Sequence, residues 1–328
     1  MTTIGWIGLG NMGARMAANL VRAGYDVQGY DLSSVATAQA AENGIRIADS
    51  VADTVAGADA VFTMLPKGQH VRSVFEGADG IWAHADHRAL LIDSSTIDLD
   101  TSRFLHDRST DLGFHFVDAP VSGGISGAAA GTLAFMIGGL EEDTARAARF
   151  IEPMSGRTFV AGGPTMGIAA KIANNMMLCI NMLANSEGSQ LAERMGLDPK
   201  VFWEIASASS GQSWAQQTWY PVPDVIPTAA ANQNFDATFT VDLARKDVGL
   251  ALEAGENAGI NLPAATIIAQ QFDRLIDEGF SHKDCTLIAK YVVPEGELRG
   301  WNPDPTAETE AIIEEQNTSP VAAEAAVR

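Results

Sequence analysis

The first half of the chain alternates short apolar runs with helical stretches. The runs TIGWIG, DVQGYD, AVFTML, ALLIDSS, HFVDAP, LAFMIGG and RTFVAG read as strands. Most are apolar throughout rather than alternating, so both faces need cover. That predicts a mostly parallel sheet with helices on each side. Between the first two runs lies NMGARMAANLVRAG, rich in Ala and Leu, with Gly24 at the expected helix stop. After residue 163 strand-like runs nearly vanish. Residues 165–195 read as one helix, on the order of 45 Å long at about 1.5 Å per residue. DPKVFWEIASAS follows, with Asp198 as cap and Pro199 in the first turn. VDLARKDVGLALEAGENA and PAATIIAQQFDRLIDEG are further helices. PVPDVIPTAA, holding Pro221, Pro223 and Pro227, must be a loop.

The fold class is therefore α/β. A Rossmann domain with a doubly wound, mostly parallel sheet is expected over residues 1–163. An all-α domain is expected over 164–293, joined to it through the long helix at 165–195. Residues 294–328 are rich in Glu, Pro and Ala, and composition predicts an acidic, mobile tail.

Composition narrows the function classes. Of 328 residues, 46% are hydrophobic and 19% charged, a globular balance with enough chain for a sizeable core. The net charge of −20 argues against nucleic acid and against an anionic membrane surface. The start, MTTIGWIGLG, has no basic segment or cleavage pattern, so no signal peptide and a cytoplasmic location are expected. No uninterrupted apolar run approaches the roughly 20 residues of a membrane span. Lys171, Asn174, Asn175 and Asn181 interrupt the best candidate. Cys179 and Cys285 have no metal-ligand spacing around them, so they read as thiols in a reducing compartment, and no metal is expected.

The first strand runs into GLGNMG: Gly8, Leu9, Gly10, Asn11, Met12, Gly13. A lone G-x-G-x-x-G is a weak signal, but here it stands between a strand and a helix at the start of a βαβ unit. Gly8 allows the tight turn, Gly10 lets the backbone approach a pyrophosphate, and Gly13 permits close helix packing. The helix start offers amides and positive dipole to the phosphates. Asp31 lies 18 residues past Gly13, about where an acid meets a ribose 2′-hydroxyl. Its charge would repel a 2′-phosphate, and no arginine follows it, so NAD is favoured over NADP. The strand ends at Leu65-Pro66 and at Thr96 suit either cofactor contacts or plain loops.

Two further stretches carry candidate substrate chemistry. In DAPVSGG, Ser122, Gly123 and Gly124 offer a hydroxyl and amides that suit a carboxylate, though the composition also fits a flexible linker. In GPTMGIAAKIANNMM, Gly167, Lys171 and Asn175 are spaced i, i+4, i+8 and share a helix face, with Asn174 beside them. Gly167 is expected to leave room for a small ligand. A half-buried lysine has a depressed pKa and can exchange a proton with an alcohol oxygen. The Asn amides can bond a hydroxyl and a carboxylate. The alternative is an exposed lysine on a solvated face. That alternative is stronger for Lys246 in RKDVGLALE, among charged neighbours.

GWIGLGNMGARMAANL, MLP, DSSTID, DAPVSGG, GIAAKIANN and KDVGLALE occur in that order. Together they resemble the signature set of the β-hydroxyacid dehydrogenases, over about residues 3–293. SSGQSWAQQTWYPVPDVIP and GFSHKDCTLIAKYV are similar to the family branch that acts on 3-hydroxyisobutyrate. The resemblance implies that Lys171 is the catalytic lysine, acting as general acid and base. It implies substrate contacts from Ser122, Gly123 and Asn175. Cofactor contacts would come from the Gly8–Gly13 loop, Asp31, Leu65, Pro66, His70 and Thr96, with Lys246 toward the nicotinamide end. It also implies a homodimer or homotetramer paired through the helical domains. The implied reaction is reversible NAD-dependent oxidation of a short 3-hydroxy acid, with 3-hydroxyisobutyrate, from valine breakdown, going to methylmalonate semialdehyde. Tartronate semialdehyde, 3-hydroxypropionate, serine and a sulfonated analogue are alternative substrates. A non-catalytic dinucleotide-binding interaction module is the alternative from another class.

Overall fold

The computed structural model describes residues 2–303. The strands are β1 (Thr3–Ile7), β2 (Asp26–Tyr30), β3 (Arg46–Ile47), β4 (Ala60–Thr63), β5 (Leu90–Asp93), β6 (His115–Asp118), β7 (Val121–Ser122), β8 (Leu133–Gly138) and β9 (Ser155–Gly162). Among the described residues they form one nine-stranded sheet in the order β3-β2-β1-β4-β5-β6-β8-β7, with β9 on β8. All pairs from β3 to β6 are parallel, as is β8 with β9. β8 runs antiparallel to β6 and β7.

The continuous apolar strands feed two cores by simple alternation. Ile4, Trp6, Phe62, Leu90 and Ile92 point to one face, where Met16, Ala17 and Leu20 of the first helix (Gly13–Arg22) cover them. Trp6 stacks on Phe62 at 4.8 Å, an arrangement that adds about 1 kcal/mol to the area buried. Ile7, Val61 and Leu91 point to the other face, with Ile168, Ile172 and Ala251 in the same cluster. The two-residue strands β3 and β7 are not foreseen in the sequence. β7 exists because Pro120 has no N–H to give: the chain leaves β6 at Asp118 and resumes pairing with β8 at Val121.

By compactness the chain falls into two units. Among the described residues, one takes in those up to Ile180 together with Val241–Glu278; the other takes in Asn181–Thr240 and residues 279–303. The long helix, Met166–Arg194, passes from the first into the second. It is, among the described residues, the one helix long and apolar enough to cross a membrane by length and composition. It nevertheless carries Lys171, Asn175, Ser186, Ser189 and Gln190 on its buried face, and polar side chains are costly within a bilayer. The first unit also holds the helices Val241–Asn257 and Pro263–Asp277, tied by Arg245 and Asp273 at 2.6 Å.

In the second unit Asp198 caps the helix Pro199–Ser207 by accepting from the Lys200 and Val201 amides. The proline-rich loop is packed, not free: Tyr220, Val222, Ile226 and Ala229 form a small core with Phe202 and Trp203. The tail expected from residue 294 is held at its start. Arg299 bonds Glu193 at 2.7 Å, and Trp301 meets Phe280 edge-on at 5.1 Å. Its remainder, 304–328, lies outside the described residues.

Candidate active site

Strand order reverses between β1 and β4, and in such sheets ligands bind beyond the carboxyl ends of the strands at that point. Gly8–Gly13 follows β1 there, and Leu65-Pro66 follows β4. Gly8 stands at φ 99, and a side chain on it would collide with the Met64 carbonyl. A side chain on Gly13 would collide with the Gly8 carbonyl, so the helix can start this close only with glycine. Gly10 is exposed and has nothing within 4 Å of where a Cβ would be, so backbone there is open to a ligand. The first helical turn carries no acid to oppose an anion. Leu9 is buried; Met12 packs on the core; Asn11 is exposed, its carbonyl accepting from Arg15 at 2.7 Å. Asp31 reaches the loop itself: Oδ2 accepts the Leu9 N–H at 2.7 Å and Oδ1 the Ser33 N–H at 2.8 Å. These residues fit a dinucleotide: an open backbone approach, a helix start, and an acid fixed beside them.

The ends of β4 and β5 are joined by a buried carboxyl. Asp93 Oδ1 accepts from Thr63 Oγ1 (2.7 Å) and Ser95 Oγ (2.6 Å), and Ser95 Oγ accepts the Leu65 N–H (2.9 Å). Burial pushes the Asp93 pKa up to about 6. Thr96 is half-buried next to this network, and Pro66 is exposed. The His70 side chain is exposed and, among the described residues, meets only its neighbour Gln69, at 3.5 Å, so it is not drawn into the cluster.

The lysine region is made of side chains. Lys171 is only 7% exposed, and no hydrogen bond reaches its Nζ from the described residues. Burial pulls its pKa down from 10.5 to about 8; the nearby Asp247 charge works the other way, and Lys246 adds to the lowering. Asn175, one turn on and also buried, donates through Nδ2 to Asp247 Oδ2 at 2.6 Å. Asn174 is exposed and donates to Asn175 Oδ1 at 3.1 Å. Lys246 is not on a solvated face. Its Nζ donates to the Thr96 carbonyl at 2.7 Å and lies 3.1 Å from Asp247 Oδ1. That bond joins the Val241–Asn257 helix to the loop after β5.

Two sequence expectations change. Gly167 leaves no room for a ligand, because a side chain there would collide with the Met136 carbonyl and with Asp118; the glycine serves helix packing on β6 and β8. Asp247, 4% exposed, is missing from the sequence candidates. The signal for it was present: Ala244, Asp247, Val248 and Ala251 follow i, i+3, i+4, i+7 and are the buried stripe of their helix. Ser122, the last residue of β7, and Gly123 and Gly124 after it are half-buried, the glycines at φ 135 and φ 66. They make no hydrogen bond to Lys171 or Asn175 among the described residues. Elsewhere His115, Glu142 and Asp143 bring ligand-type atoms together. Arg146, 3.7 Å from Asp143, is a poor neighbour for a cation.

Comparison with known proteins identifies the family. Residues 3–163 match a family model described as the NAD binding domain of 6-phosphogluconate dehydrogenase. Residues 165–292 match one described as the NAD-binding of NADP-dependent 3-hydroxyisobutyrate dehydrogenase. The chain is 42% identical over 272 residues to 3-hydroxyisobutyrate dehydrogenase of Pseudomonas aeruginosa, covering 83% of this chain and 91% of that protein. It is 37% identical over 294 residues to NAD-dependent L-serine dehydrogenase of the same species, covering 90% and 99%. The solved structure of Mycobacterium tuberculosis 3-hydroxyisobutyrate dehydrogenase with L-serine aligns at TM-score 0.82 and 39% identity, covering 90% of this chain and all of that one. The chain belongs to the β-hydroxyacid dehydrogenase family, NAD-dependent oxidoreductases acting on CH–OH groups.

Proposed function

We propose that this enzyme oxidises 3-hydroxyisobutyrate reversibly to methylmalonate semialdehyde with NAD, Lys171 serving as general base and, in reverse, as general acid. The carrying observation is the buried lysine itself, with its pKa drawn down to about 8 beside the Asn175–Asp247 pair. NAD, when bound, accepts a hydride from the carbinol carbon. Neutral Lys171 Nζ takes the hydroxyl proton as the carbonyl forms. Ser122, Gly123 and Asn175 hold the substrate carboxylate, with Gly124 and Asn174 beside them. Asp247 fixes the Asn175 amide and supplies the charge that balances the protonated lysine.

Gly8–Gly13 would hold the cofactor by its pyrophosphate and Asp31 by its ribose, with further contacts from Leu65, Pro66, His70 and Thr96, and from Lys246 toward the nicotinamide. Asp31 supports NAD over NADP, because a second charge at the 2′ position would face its carboxylate. In this reading residues 1–163 bind the dinucleotide and 164–293 serve substrate and subunit pairing. Exposed Leu191, Met195, Val201 and Ile205 support a homo-oligomer, and the buried thiols Cys179 and Cys285 support a reducing, cytoplasmic location.

L-serine is the second reading, favoured by the L-serine dehydrogenase relative and by the L-serine in the solved neighbour. Serine is also a short 3-hydroxy acid, so the same lysine would serve. A panel of 3-hydroxyisobutyrate, L-serine, 3-hydroxypropionate, tartronate semialdehyde (in the reducing direction) and a sulfonated analogue, each with NAD and NADP, tests both. The expected result is highest kcat/KM for 3-hydroxyisobutyrate with NAD. Highest kcat/KM for L-serine gives the second reading. NAD binding without turnover of any of them points to a non-catalytic module and overturns both.

A further inference from the structure

One carboxylate holds the start of the long helix from outside. Asp118, the last residue of β6, is 1% exposed. Its Oδ1 accepts the Thr165 N–H at 3.0 Å, and its Oδ2 the Ile168 N–H at 2.7 Å. These amides belong to the group that a helix start leaves without internal partners. A negative charge there also meets the positive end of the helix dipole. Thr165 stands at φ 71, a left-handed conformation that a threonine keeps only when its surroundings enforce it.

The carboxylate is itself oriented. His106 Nε2 lies 2.6 Å from Asp118 Oδ1, with the ring 6% exposed and edge-on to Phe116 at 4.7 Å. With the proton on Nε2 the imidazole donates to the carboxylate. The Thr165 nitrogen is 3.3 Å from the same Nε2, so ring, carboxylate and amide converge. Two glycines permit the approach. A Cβ on Gly138 would stand 2.6 Å from both Asp118 Oδ1 and the Gly167 nitrogen, and one on Gly167 would stand 2.8 Å from Asp118 Oδ2.

This contact joins two strips of chain that matter to the chemistry. Asp118 precedes Ser122 by four residues, through Ala119 and Pro120. Ile168 precedes Lys171 by three, less than one helical turn. We propose that Asp118, oriented by His106, is a positioning residue that sets the separation between the Ser122–Gly123 carboxylate grip and Lys171 Nζ. The inference rests on the 3-hydroxy acid reading of Lys171. Without the carboxylate the helix start can slide on the sheet, and a misplacement of about 1 Å costs on the order of a hundredfold in rate.

The test compares Asp118→Asn, His106→Ala and His106→Gln in the full-length enzyme. The readouts are kcat and KM on the best substrate of the panel, NAD Kd by fluorescence titration, and hydrogen exchange at the Thr165 and Ile168 amides. Asp118→Asn and His106→Ala should lower kcat at least about tenfold and speed exchange at Ile168, while NAD Kd stays within about twofold. Glutamine keeps an N–H donor, so His106→Gln should return kcat to within about threefold of wild type. If Asp118→Asn does not fold, the two His106 variants decide alone. Equal kcat in His106→Ala and His106→Gln overturns the proposal, as does a parallel loss of kcat and NAD affinity. Unchanged exchange at Ile168 in His106→Ala overturns the anchoring by itself, whatever the activity. A wild type that turns over no 3-hydroxy acid overturns the function proposed above and the catalytic part of this inference together.

Discussion

The cofactor side and the lysine side of the first unit are built by different means. On the proposed cofactor side binding would fall to the main chain, and the sequence supplies glycines that allow it: Gly8 and Gly13 lie against other backbone, and Gly10 is open. On the lysine side the main chain is already spent in helices. There the contacts fall mainly to polar side chains drawn from distant segments, Lys171 and Asn175 from one helix and Asp247 and Lys246 from another, with the Thr96 carbonyl taken from the loop after β5. The first kind of site is local in sequence. The second is local only in space.

That difference makes breakable predictions. The largest effect is expected at the lysine. Lys171→Ala should lower kcat by about 10²- to 10⁴-fold, the usual range for a positioned acid–base group, with NAD affinity nearly unchanged. Steady-state kinetics paired with NAD titration checks it, and turnover within about tenfold of wild type would end the acid–base assignment. The opposite signature is expected from the glycine loop. Gly13→Ala sets a methyl against the Gly8 carbonyl, so NAD Kd should rise at least about tenfold and stability fall by about 1–3 kcal/mol. Calorimetry and NAD titration read both, and an unchanged Kd would mean that the close helix start is not needed for binding.

The same contrast explains what was legible beforehand. Seven of the nine described strands, the long helix and the glycine loop follow from apolar runs, periodicity and one spaced motif, all properties of neighbouring residues; the two-residue strands β3 and β7 do not. Lys171 and Asn175 stood out because they interrupt an apolar helix face. Asp247 did not, because its neighbours Arg245 and Lys246 gave it the look of a solvated face, although its periodicity placed it inside. Asp118 and His106 were silent. Their role depends on β6 lying beside the start of a helix 47 residues later in the chain, which no local pattern records. At Gly167 the sequence shows that a side chain is missing but not that the Met136 carbonyl and Asp118 fill the gap.

The smallest effect is expected at Asp31, a single charge beside the cofactor loop. Asp31→Ser should raise kcat/KM for NADP about tenfold and lower it for NAD, since a repulsion of about 1.4 kcal/mol is removed from the 2′-phosphate. Unchanged preference in paired NAD and NADP assays would place discrimination elsewhere.

The central claim is that Lys171 is a buried base whose pKa burial lowers to about 8, and the pH dependence of kcat/KM for oxidation tests it most directly. Burial lowers the pKa from 10.5 to about 8, so the neutral, proton-accepting form grows as pH rises through that value. The wild-type profile should therefore climb about tenfold per unit below the midpoint, level off above about 8, and lose this limb in Lys171→Ala. A flat profile across the range, or the same limb surviving in Lys171→Ala, would contradict the account.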